Sequence, residues 1–156
     1  MSRRRTAKKR TVSPDPIYNS DLVSMIINRI LVKGKKSLAQ HIFYEAMKNI
    51  KESSQKDPVE ILKKAVSNVT PVVEVKSRRV GGATYQVPVE VKTDRGNSLA
   101  LRFIIKSARN RPGKNIIVKL GNEIMDAYNN TGNSIKKREE MHKNAEANKA
   151  FSTLRF

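Results

Sequence analysis

One change of rhythm dominates this 156-residue chain. Over residues 21–69 apolar side chains recur every three or four positions, the repeat of helices with one buried face. Around Gly81 and Gly82 the repeat drops to two, and from Leu99 onward it returns to three and four. A single stretch of period two inside a helical sequence leaves room for one β-hairpin and nothing wider. Val73, Val75, Tyr85, Val87, Val89 and Val91 alternate with polar residues on either side of the glycines, which supply the positive φ of a tight hairpin turn. Pro88 has no N–H, so that position must face away from the partner strand. Two strands alone are marginal in water, so the ribbon is expected to lean on helices or on a ligand.

Six helices are expected around it. The first starts at Asp21, buries Leu22, Met25, Ile26, Ile30 with Val23, Ile27 and Leu31, takes Ser20 as its cap and stops at Gly34. The second carries Leu38, Ile42, Phe43, Ala46, Met47 and Ile50 and runs to about Glu52. Asp57-Pro58-Val59-Glu60 opens the third. Asp57 is placed to accept from the third amide, Pro58 fits the first turn, and Glu60 is placed to reach back. Ile61, Leu62, Ala65, Val66 and Val69 form its face before Pro71 ends it. Helices over residues 99–110, 115–129 and 134–151 complete the set. The fifth has a face of Ile117, Leu120, Ile124, Ala127 and Tyr128. The sixth is polar nearly all round and is expected to be held by something outside the core. The fold class is therefore mainly α: a single six-helix domain over residues 21–156 with one protruding two-stranded antiparallel β-ribbon at about 72–91. A flexible basic arm over residues 1–20 precedes it.

Charge narrows the function. Lys and Arg total 32 against 14 Asp and Glu, a net charge of +18. An excess of this size repels itself in a folded domain and is relieved by an extended polyanion, which makes nucleic acid the first reading. The positive charge is spread along the whole chain, so the polyanion is expected to touch several faces. Arg3, Arg4, Arg5, Lys8, Lys9 and Arg10 crowd the start, ahead of Ser13-Pro14-Asp15-Pro16, and read as a nucleic-acid arm rather than an amphipathic transit peptide. Absent cysteine excludes a disulfide scaffold, a Cys-ligated zinc site and thiol catalysis. No apolar run exceeds three residues, so no membrane span is expected and the chain reads as a soluble, intracellular-type protein.

Three cationic groups stand out. In Lys76-Ser77-Arg78-Arg79-Val80-Gly81-Gly82, basic strands meet glycines that let backbone approach phosphate, as suits entry into a groove. On the fourth helix Arg102, Lys106 and Arg109 line up opposite Leu101, Ile104, Ile105 and Ala108, and Arg111-Pro112-Gly113-Lys114 extends the stripe. Like charges at this spacing repel, which points to a compensating anion. Gly34-Lys35-Lys36-Ser37 has a superficial phosphate-loop look, but the Walker pattern needs glycine where Arg29 stands, so nucleotide hydrolysis is discarded. Lys33, Lys35 and Lys36 remain as a basic turn for backbone phosphate. His41 and His142 belong to no catalytic or metal motif, and His41 is expected to be partly buried. The eight aromatic residues are scattered, with no evident stacking platform. No enzyme activity, cofactor or metal is expected. A basic β-ribbon carrying proline also suits an architectural protein that bends duplex DNA, which is the alternative reading.

Taken together these residues resemble the family of ribosomal protein seven of the small subunit, of bacterial and plastid type. The resemblance lies in the hairpin Val73-Glu74-Val75-Lys76-Ser77-Arg78-Arg79-Val80-Gly81-Gly82-Ala83-Thr84-Tyr85-Gln86-Val87-Pro88-Val89-Glu90-Val91. It lies equally in Arg3-Arg4 with Asp15-Pro16, in the Gly34 turn, in Lys136-Lys137-Arg138-Glu139-Glu140 and in Ala145-Glu146-Ala147-Asn148-Lys149-Ala150-Phe151. It implies a helical domain that binds the 3′ major (head) domain of small-subunit ribosomal RNA and nucleates assembly of the head. The residues it turns toward RNA are Arg3, Arg4, Arg5, Lys8, Lys9, Arg10, Lys33, Lys35, Lys36, Lys76, Arg78, Arg79, Arg102, Arg109, Arg111 and Lys114. The ribbon tip, Arg78, Arg79, Val80, Gly81 and Gly82, is implied to lie near the exit-site transfer RNA and the messenger path. The last helix would approach protein eleven of the small subunit, with protein nine as a further neighbour. The ending Phe151-Ser152-Thr153-Leu154-Arg155-Phe156 is similar to plastid members, which favours the plastid stroma over a bacterial cytoplasm.

Overall fold

The structure, a computed structural model, describes residues 11–153. Among them the chain forms α1 (Asp21–Ile30), α2 (Lys36–Ser54), α3 (Pro58–Val69), β1 (Val73–Val80), β2 (Ala83–Glu90), α4 (Thr93–Asn110), α5 (Ile116–Tyr128) and α6 (Gly132–Ala147). A 3-10 segment, Lys149–Thr153, follows α6. The six helices and the lone antiparallel ribbon match the expected class.

Helix α5 is the central rod, packed against α2, α3, α4 and α6. Its Leu120, Ile124 and Ala127 meet Phe43, Met47 and Ile50 of α2, Ile61, Leu62 and Val66 of α3, and Leu101 and Ile104 of α4 in one buried cluster. Each large side chain so buried contributes about 1.5–3 kcal/mol. The expected stripe of α2 is shifted by one position at its start: Ala39 is buried and Leu38 is 51% exposed. Helix α1 ends at Ile30 rather than at Gly34, because Leu31 already turns to extended backbone at ψ 128°, and Lys33 and Gly34 then adopt left-handed backbone in the turn, with φ 51° and 76°. Ser20 occupies the cap position of α1 without a side-chain capping bond. Asp57 does cap α3, though it accepts from the second amide, Val59 N–H at 3.1 Å, with Pro58 at the first helical position.

Helix α4 begins at Thr93, a full turn and more before Leu99. Gly96 hides this extension in the sequence, since glycine reads as a breaker. In the fold it is a close-approach residue: a Cβ there would come within 2.8 Å of the Thr70 methyl at the end of α3.

The ribbon runs in register from Val73 opposite Glu90 to Val80 opposite Ala83, leaving Gly81 and Gly82 as a two-residue turn. Their φ angles of 54° and 91° are both positive, as a type I′ turn demands. Its root packs on α6, and Val72 N–H donates to His142 Nε2 at 3.1 Å. Higher on the ribbon, the Tyr85 and Phe151 rings meet with centroids 5.4 Å apart.

Two expectations change here. The arm was expected to run free to Ser20, yet Asp15 is buried and accepts from Ile17 N–H and Tyr18 N–H at 3.1 Å each and from the Tyr44 hydroxyl at 2.8 Å. The chain is thus docked on α2 from Asp15 onward. Helix α6 was expected to be held by something outside the core, and its own domain supplies that hold through polar bonds rather than an apolar stripe. Ser134 N–H donates to Glu123 Oε1 at 2.9 Å, Lys137 Nζ to Ser107 Oγ at 3.1 Å, and Arg138 to the Asn68 carbonyl. Only Ile135 and Ala145 supply buried apolar contact among its described residues.

Candidate nucleic-acid interface

By burying Leu101, Ile104, Ile105 and Ala108, α4 turns Arg102, Lys106 and Arg109 to the surface. The last turn of α1 brings Arg29 beside them. Arg29, Arg102, Lys106 and Arg109 surround a 320 Å³ hollow with Ile105 and Asn110, and no carboxylate lines it. The Arg29 guanidinium is held below its ordinary pKa, first by burial and then by the charges of Arg102 and Arg95. A like-charge group with no acid of its own is an electrostatic vacancy for an anion. Arg109 also donates from Nη2 to the Ile30 carbonyl at 3.1 Å, capping α1 and fixing α4 against it.

A second hollow, of 550 Å³, shares Arg102 and Lys106 and runs under the ribbon root to Arg95 and Lys137. Lys137 is held below its ordinary pKa by burial and by Lys106, against the opposing pull of Glu123 and Glu140. Arg95 is aimed by Glu74, which is buried on β1 and accepts from its Nε and Nη2 at 3.3 Å.

The other expected residues divide. Lys33 and Lys35 are exposed on the α1–α2 turn, Lys36 at the first position of α2, and Lys114 on the α4–α5 loop. Lys119 braces that loop from beneath, donating to the Arg109 carbonyl at 3.0 Å. On the ribbon Lys76, Arg78 and Arg79 are exposed. Alternation puts Lys76 and Arg78 on one face and Arg79 on the other. Lys76 shares Glu74 at 3.4 Å. A Cβ built on Gly81 or Gly82 would have nothing within 4 Å, so the turn stands clear of the body. Arg3, Arg4, Arg5, Lys8, Lys9 and Arg10 lie outside the described residues.

Arg111 departs from expectation. Its Nε donates to Glu123 Oε2 at 2.6 Å and its Nη2 to Asp126, and Glu123 is wholly buried. Burial works against its charge, while the bonds to Glu123 and Asp126 more than compensate and raise its pKa. The guanidinium is spent inside the fold, because α5 puts a carboxylate on its inner face that needs a cation. His41 is exposed rather than partly buried. Among the described residues no group of three His, Cys, Asp or Glu could hold a metal ion, and no helix is long and apolar enough to cross a membrane.

The sequence profile described as ribosomal protein S7p/S5e matches residues 2–149. The chain belongs to the ribosomal protein S7p/S5e family. Small ribosomal subunit protein uS7c of Euglena gracilis is 64% identical over 156 residues, covering 100% of both chains. The uS7c of Ostreococcus tauri is 62% identical and the uS7 of Acaryochloris marina 60%, each again over 100% of both chains. For this S7p/S5e member, sequence reasoning missed Arg29, Arg95 and Lys137. Arg29 served there only to dismiss a Walker motif, although its place in the last turn of a helix ending before a basic turn was a usable signal. Arg95 was hidden by the early start of α4, and Lys137 by a helix without an apolar stripe.

Proposed function

We propose that this S7p/S5e member is a non-catalytic, RNA-binding constituent of the small ribosomal subunit, seated on the 3′ major (head) domain of the ribosomal RNA. In this reading it nucleates head assembly and carries its ribbon tip near the exit-site transfer RNA and the messenger path. Proteins eleven and nine of the subunit are its neighbours. The plastid ribosome is the favoured home, with a bacterial cytoplasm as the alternative, since uS7c of two algae and cyanobacterial uS7 match over their full length.

The observation that carries the reading is the carboxylate-free hollow formed by Arg29, Arg102, Lys106 and Arg109. A metabolite site would pair such charges with shape and selective polar groups. A shallow multi-cation surface continuing into Arg95 and Lys137 suits successive phosphates on folded RNA.

The test is affinity for a head-domain RNA fragment as a function of salt. Each phosphate contact adds about 0.7–0.9 to the slope of log affinity against log salt, so several contacts give a steep fall. A slope near zero removes the electrostatic mechanism. Preference for duplex DNA over structured RNA, with dimerisation, would favour the architectural alternative instead. Cosedimentation with small subunits is the expected companion result.

A further inference from the structure

The hollow under the ribbon root has a composition that phosphate contact alone does not explain. One part of its wall is apolar: Val75 of β1, Leu99 and Phe103 of α4 and Met141 of α6 line it. Phe103 and Met141 are only partly buried, so an aromatic ring and a thioether face the open space. Arg95, Arg102, Lys106 and Lys137 line the same space as cations, and Glu74 and Glu140 as carboxylates. A pure phosphate seat would have neither the apolar walls nor the acids, both of which repel a bare anion.

Resting on the RNA-binding reading above, we propose that this hollow is a base pocket that takes one unstacked nucleobase of the bound RNA. The base lies against Phe103 and Met141, while Arg102 and Lys106 hold the phosphates that flank it. A nucleotide is the ligand whose parts match these three surfaces: an apolar face, an edge that hydrogen-bonds and an anionic backbone. The exposed Glu140 favours a base whose edge carries an amine, because a carboxylate accepts from an exocyclic N–H and repels a carbonyl. At 550 Å³ the space lies within the range of about 300–1,000 Å³ of small-ligand sites. Glu74, on the ribbon side of the pocket, accepts from Arg95 and orients it.

The probes are two single-stranded RNA hexamers of one sequence, one with a cytosine and one with an abasic residue at the same internal position. Binding to the full chain is followed by fluorescence anisotropy and by NMR of the Met141 methyl. The cytosine hexamer is expected to bind about five- to 150-fold more tightly than the abasic one, the span of one base stacked on an aromatic ring. It alone should shift the Met141 methyl upfield. Phe103→Leu should remove most of that difference while leaving abasic binding unchanged. Met141→Ala on the outer helix provides a second variant should the core variant lose its fold. Equal affinity of both hexamers, or a Met141 methyl indifferent to the base, overturns the pocket and leaves the phosphate reading standing. Failure of both hexamers to bind at low salt while the head-domain fragment binds overturns the pocket alone, and failure of all three overturns the RNA reading with it.

Discussion

Arg109 and Arg111 are near neighbours in sequence and belong to opposite kinds of region. Around Arg111, at the junction of α4, α5 and α6, every strong charge is answered: Glu123 accepts from Arg111 and from Ser134 N–H, and Asp126 takes the other arm of the guanidinium. Around Arg109, on the α1–α4 face, Arg29, Arg102 and Lys106 crowd one another, and none has an ion-pair partner among the described residues. Tertiary structure alone decides between the two fates, by delivering or withholding an acid. The first region builds the fold, and the second stores an unfavourable field that a ligand relieves.

The sharpest break of this contrast is Arg111→Ala. It strands Glu123 in the core with one backbone partner and should cost about 3–5 kcal/mol, read as a lower urea midpoint. RNA affinity of the molecules that remain folded should change little. An undiminished midpoint would mean the junction is not a structural ion pair.

The mirror-image experiment is Arg102→Ala with Lys106→Ala. Stability should stay within about 0.5 kcal/mol. RNA affinity should fall by about 2–3 kcal/mol, with the salt slope reduced by about two. If instead the protein unfolds and the slope holds, the two regions have been assigned the wrong way round.

Arg78→Ala with Arg79→Ala extends the test to the ribbon, with an expected loss of about 1–3 kcal/mol in RNA affinity. The helical circular dichroism should be unchanged, since Arg78 and Arg79 are exposed outside the core.

The smallest effect concerns the docked start of the chain. Tyr44→Phe removes the bond to Asp15 and should cost about 1 kcal/mol. Burial, then the bond to Asp15, pushes the Tyr44 phenol from 10.0 up to about 12. The folded state therefore keeps a proton that the unfolded chain sheds, and stability declines as pH rises from about 10 toward 12. Tyr44→Phe should make that alkaline decline shallower in a series of urea titrations, with the raised Tyr18 phenol left to account for part of the remainder.

Local rules carried much of this molecule. The hairpin turn followed from two glycines, the start of α3 from Asp57 and Pro58, and the outward stripe of α4 from its apolar complement. What escaped was non-local. Gly96 reads as a break until the Thr70 methyl is known to lie against it. The polarity of α6 points to a hold outside the core, and only the fold names Glu123, Ser107 and Asn68 as its partners. Arg111 reads as a ligand for RNA because its acids stand a dozen residues on, across a turn between helices. In each case the deciding neighbour is chosen by packing, which no spacing rule encodes.

The ribbon is propped at two heights, by His142 against the Val72 amide at its foot and by Phe151 against Tyr85 further out. A finger pinned at two points has its bearing settled before anything touches it. Both props come from α6 and the segment after it, so the last helix of the domain sets where the ribbon points.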